Sequence, residues 1–189
     1  MMRSYLSLWR WIRGHIDVPQ DGVPLAAHQG TLAIPAAFGV ATLVELVVLH
    51  LVLPWPWLRV LVAVVSIWSL VALLGLIAIH RVHPHYVTDA HLVLRQSGTT
   101  VLSLCRSDIA SVALVRRFSE TTPTIRDGRL FLPNANGTSV DITLRGQVDA
   151  QLPSLIPKYR QTGSIGQVSL CLDHPADFVA LIKAEAPRT

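Results

Sequence analysis

The chain has 189 residues, room for one or two modest domains, and only 15% of it is charged, against about 25% in an average soluble domain. Its net charge of +4 is modest and its basic residues are not gathered into a block, so nucleic acid is not an expected partner. The charge deficit is local: from Thr31 to His80 the only charged side chains are Glu45 and Arg59, whereas residues 81–189 have ordinary globular composition.

Residues 1–30 read as a cytoplasmic N-terminal segment. "YLSLWRWIRGHI" forms a short helix in which Leu6, Trp9, Ile12 and Ile16 lie loosely on one face with arginines beside them. Such a stripe suits an interfacial helix, and an ordinary basic tail is the equal alternative. "DVPQDGVPLAAHQG" then has the prolines and glycines of a linker.

Residues 31–80 hold two apolar stretches, Leu32 to Leu53 and Leu58 to Ile79, each 22 residues long. At about 1.5 Å per residue either one crosses a hydrocarbon core of about 30 Å. The first is too long for a signal peptide and lacks a small-residue cleavage pattern. Burying both inside a soluble fold would take more covering protein than the remaining polar-patterned residues supply, so they read as membrane helices. "PWPW" (54–57) breaks the helix with its prolines and offers Trp55 and Trp57 to the headgroup level, with Arg59 free to snorkel outward. The product is a tight transmembrane hairpin with the lipid bilayer as its partner. Arg3, Arg10, Arg13 and Arg81 flank the spans against Arg59 alone at the turn, which predicts a multi-pass protein of the cell membrane with both termini cytoplasmic.

Inside the first span, Glu45 and His50 are the candidate intramembrane site. An ionisable group in lipid costs several kcal/mol unless paired or neutralised. Five positions apart, the two side chains are about 140° apart around a helix and ill placed to bond each other. Each therefore faces a different neighbour, or Glu45 bonds across to Ser66 or Ser69 of the second span. A protonated Glu45 between helices or subunits is the structural reading; proton or metal handling is the functional one.

Where the second span ends, "HRVHPH" supplies His80, Arg81, His83 and His85. Three imidazoles are a possible start of a zinc site, but no fourth ligand is evident, and no metal or other cofactor is expected. The cluster reads instead as a juxtamembrane patch, titrating near neutrality and facing anionic headgroups.

Residues 81–189 read as a β-rich cytoplasmic domain. "HLVLRQ" (91–96), a Ser97–Gly98 turn and "TTVLSL" (99–104) make a hairpin. "DIASVALVRR" (108–117) is a strand with a short turn at its start. "RLFLP" (129–133), "NANGT" (134–138) and "SVDITLRG" (139–146) make a strand–turn–strand unit, and "GQVSLCLD" (166–173) is a further strand. "HPADFVALIKAEA" (174–186) is a helix with Phe178, Leu181 and Ile182 on one stripe. The fold class expected is thus a membrane helical hairpin plus six or seven antiparallel strands and a C-terminal helix. Residues 118–128 and 146–166 have no assigned role; short helical pieces around Leu152 and Leu155 are one reading of the second.

The run "HYVTDAHLVLRQSGTTVLSLCRSDIASV" resembles the opening of bacterial PH-like domains, with Tyr86, Thr88, Leu92, Gly98, Asp108, Ile109 and Val112 at matching positions. "VELVVLHLVLPWPW" resembles small actinobacterial two-span membrane proteins of uncharacterised function that carry such a domain. The resemblance implies a packed, barrel-like β-sandwich and does not imply phosphoinositide binding.

No GxSxG, Walker, HExxH or Rossmann motif is present. Asp127 and Asp141 fall in or beside turns and read as solvated; His91, Ser107 and Asp108 are near in sequence only. Cys105 and Cys171 have no ligand spacing and read as small apolar residues. The function expected is a membrane-anchored interaction or scaffold module that binds a membrane-protein partner or self-associates. The alternatives are an accessory subunit of a transport or proton-coupled complex, resting on Glu45 and His50, and an interfacial membrane enzyme, resting on His80, His83, His85 and Asp89.

Overall fold

A computed structural model describes residues 2–27, 33–154 and 160–184. The chain divides into two compact units, Met1–Ile16 with Thr31–Val82, and Asp17–Gly30 with His83–Thr189.

The first unit is helical: α1 (Met2–Ile12), α2 (Ala33–Val52) and α3 (Pro56–Val82). α2 packs against α3, and α1 also packs on α3. α2 and α3 are each long and apolar enough to cross a membrane. None of Pro35–Val52 and only 6% of Pro56–Ile79 is buried, the opposite of a soluble core helix. Apolar side chains such as Phe38, Val47 and Leu51 instead face outward. Pro56 opens α3 where a missing N–H costs nothing. The Arg59 Nε donates to the Leu53 carbonyl at 2.6 Å. That bond satisfies a carbonyl left over at the end of α2 and ties the turn together.

Among the described residues the second unit contains nine strands: β1 (Val23–Leu25), β2 (His85–Val87), β3 (His91–Gln96), β4 (Thr99–Cys105), β5 (Ile109–Arg117), β6 (Thr124–Arg126), β7 (Arg129–Leu132), β8 (Thr138–Leu152) and β9 (Gln161–Leu170). A one-turn 3-10 helix, Arg106–Asp108, links β4 to β5, and α4 (Pro175–Ala184) ends the unit. One sheet runs β1-β2-β3-β4 and the other β5-β8-β9-β7-β6.

Several expectations change here. Among the described residues the strands number nine rather than six or seven: β1 lies in the segment read as a linker, β2 in the juxtamembrane stretch and β6 in the 118–128 stretch. The strands are not all antiparallel: β7 runs parallel to β9, with Leu130 beside Val168 and Leu132 beside Leu170. β7 and β8 are consecutive, yet each takes β9 as its ladder partner. Leu152 ends β8 rather than a helical piece, and Leu155 lies outside the described residues.

Period-two alternation builds the core. Val140, Ile142 and Leu144 of β8, Val168 and Leu170 of β9, and Leu130 and Leu132 of β7 point inward. Leu92, Leu94, Leu102 and Leu104 join them from the other sheet, with Phe178 and Val179 of α4 in the same cluster. Ser97–Gly98 and Asp127–Gly128 all have positive φ, the geometry of tight two-residue turns, and they close the β3–β4 and β6–β7 hairpins.

Candidate functional site

On α2, Glu45 and His50 are both exposed on the outer surface of the helical unit. The expected bond from Glu45 to the second span is not formed. Ser66 is buried at 9% exposure, and the Ser69 hydroxyl donates to the Val65 carbonyl of its own helix at 2.9 Å. The hairpin therefore presents a carboxylate and an imidazole on an otherwise apolar exterior.

The juxtamembrane residues separate. The side chain of His80 lies outside the described residues. Arg81 is half-buried, and its Nε has no hydrogen-bond partner among the described residues. His83 and His85 belong to the β unit, where a second set of groups holds them. His83 Nδ1 lies 2.9 Å from Asp17 Oδ2. Arg95 Nη1 donates to the Asp17 carbonyl oxygen at 2.6 Å and approaches Asp17 Oδ2 at 3.3 Å. The Arg95 backbone N–H donates to His85 Nδ1 at 2.9 Å, so that nitrogen carries no proton. The Arg95 guanidinium also stands 4.8 Å from the Tyr86 ring centroid. His83 and Arg95 are mostly covered, at 14% side-chain exposure, so this pair is an internal fastening more than an open patch. No sequence pattern singles out Asp17, because its partners stand 66 and 78 positions away.

Asp141 is not solvated. It sits within β8 on the face opposite the core, and its side chain is 14% exposed. Arg117 Nη2 donates to Oδ2 at 2.5 Å, Arg129 Nη1 to the same oxygen at 2.9 Å, and the Ser169 hydroxyl to Oδ1 at 2.6 Å. Arg129 also donates to Gln167 Oε1. Burial pushes the Asp141 carboxyl up, but the hydrogen bonds from Arg117, Ser169 and Arg129 and the Arg117 charge outweigh it and hold the group below the usual carboxylate range. Asp127, by contrast, is exposed in its turn.

The β unit also has a cleft of about 740 Å³ between the start of β5 and the last turn of α4. Ile109, Val112 and Ile182 line it together with Arg106, Arg145 and Lys183, and among the described residues Asp89 is the single carboxylate on its wall. Asp89 thus lines this cleft, while His83 and His85 are engaged with Asp17 and Arg95. A smaller cleft of about 390 Å³ includes Cys171, whose thiol is pushed up by burial and so kept neutral. Among the described residues, no three His, Cys, Asp or Glu side chains converge to hold a metal ion.

No family model, curated protein or solved structure matches the chain.

Proposed function

We propose that the protein is a membrane-anchored interaction module: a transmembrane hairpin that carries a PH-like β domain and joins a membrane-protein partner. The observation that carries this reading is the exposure of Glu45 and His50 on an apolar hairpin surface. In lipid such groups demand a partner, and another protein's helix can supply the hydrogen bonds that α3 does not. The PH-like assignment draws support from two sheets followed by a C-terminal helix, together with the Tyr86–Val112 resemblance. Placement of both hairpin flanks on one side of the membrane draws support from the pairing of β1, which precedes α2, with β2, which follows α3. That this side is the cytoplasmic one draws support from Arg3, Arg10, Arg13 and Arg81 flanking the spans against Arg59 alone at the turn. The same exposed Glu45 favours a second reading, an accessory subunit of a proton-coupled complex in which the carboxylate exchanges its proton.

The test is crosslinking and affinity capture of the intact protein from its own membrane, wild type beside Glu45→Gln. One integral-membrane partner, captured by the wild type and reduced at least tenfold in the variant, is the expected result. Capture unchanged by Glu45→Gln overturns the intramembrane contact. Unchanged capture with lost proton coupling favours the subunit reading instead.

A further inference from the structure

The cleft beside β5 has two properties that point to the same kind of occupant. First, it runs along a free sheet edge. β5 has β8 on one side, and its other side pairs with no strand among the described residues. Its Ala110, Ser111, Ala113 and Leu114 are exposed. An open edge offers main-chain donors and acceptors to any extended segment laid alongside it. Second, the cleft is amphipathic and charge-biased. Ile109 and Val112, each 7% exposed, form an apolar floor with Ile182. Around it, among the described residues, stand the cations Arg106, Arg145 and Lys183 and one carboxylate, Asp89. Arg106 is tied to the last turn of α4 through a 3.2 Å bond to the Leu181 carbonyl, so the rim is held in place on that side.

We infer that this cleft receives an extended, acidic segment of a partner protein, added as a sixth strand beside β5. Alternate apolar side chains of the segment enter the Ile109–Val112–Ile182 floor, and its carboxylates meet Arg145 and Lys183. Register irregularities between Ile109 and Ser111 and between Leu114 and Arg117 bound the regular part of the edge. The added strand is therefore short, spanning Ser111 to Leu114, and its affinity depends on charge as well as main-chain pairing. This inference rests on the interaction-module reading and names the partner chemistry on the β unit.

The experiment uses the full chain in lipid nanodiscs and a fluorescein-labelled octapeptide alternating valine and glutamate, read by polarisation. Three comparators accompany it: the same peptide with lysine for glutamate, a version N-methylated at alternate residues, and the double variant Arg145→Glu, Lys183→Glu. Both substituted positions are exposed, and far-UV circular dichroism checks that the variant is folded. We expect saturable binding of the acidic peptide, at least tenfold weaker in each comparator. Failure of the acidic peptide to bind overturns the inference, as does equal binding by the lysine peptide, the N-methylated peptide or the double variant. Self-association of the wild type that disappears in the double variant, without peptide binding, assigns the edge to a second copy and also overturns it. A Glu45-dependent partner captured when every peptide fails leaves the module reading standing and removes only this one.

Discussion

Asp141 collects two guanidinium groups and a hydroxyl from three neighbouring strands, on the side of the sheet that faces away from the apolar core. Its charge is what the cluster is arranged around. Asp141→Asn leaves Arg117 and Arg129 without their shared anion, and the expected loss is about 2 kcal/mol, the scale of a hydrogen bond to a charged group. The pH dependence follows from the lowered carboxyl. A group with a depressed folded-state pKa contributes stability above its unfolded value of about 3.9, and that contribution disappears as pH falls through the folded value. Thermal unfolding followed by circular dichroism between pH 6 and pH 2 should therefore show a wild-type decline below about pH 4. In Asp141→Asn this component should be missing; equal declines in both proteins would remove Asp141 from the account. The alternation in "SVDITL" places Asp141 on the face away from the core. The arginines that cover it come from β5 and β7, 24 and 12 positions away, and no local pattern announces them.

The elements that could be read from the sequence are those whose causes are local. α2, α3 and α4 follow from apolar runs punctuated by proline, and the β3–β4 hairpin from the Ser97–Gly98 turn. The β6–β7 hairpin carries an equally strong Asp127–Gly128 signal, masked by the polar run on its N-terminal side. β1 has only three residues and a proline at its centre, so its existence depends on the edge of β2. The β7–β9 parallel pairing depends on segments more than thirty residues apart, a kind of contact that propensity does not encode. The turn before β8 shows what local chemistry does fix. Gly137 has φ +86°, and a Cβ built there would sit 1.9 Å from the Arg117 carbonyl oxygen. Gly137→Ala must either strain the backbone or push the turn away from β5, and should cost at least about 2 kcal/mol. Unchanged stability of that variant in denaturant melts would show that the turn yields freely.

For the molecule as a whole, the orientation proposed for the hairpin has a direct chemical reporter. Cys105 is exposed in the β unit, and its thiol is free. If the β unit lies inside the cell, a membrane-impermeant maleimide leaves Cys105 unlabelled in intact cells and modifies it once the membrane is permeabilised. Labelling of intact cells would reverse the orientation. Cys171→Ser removes the second, half-buried thiol from the signal.

The β1–β2 pairing has a topological consequence. Val23 stands beside Val87 and Leu25 beside His85, so the roughly sixty residues between Leu25 and His85 are an insertion into the loop of a β-hairpin. Closing so long a loop costs about 2 kcal/mol more than closing a four-residue turn if the insert behaves as flexible chain. A folded helical hairpin brings its own ends together and relieves much of that cost. A short turn from Leu25 to His85 would bypass both long apolar helices and join β1 to β2 as an ordinary hairpin. During synthesis β1 is made first and stays without its neighbour until α2, α3 and β2 have followed, so the four-stranded sheet is completed only after both long apolar helices have been made.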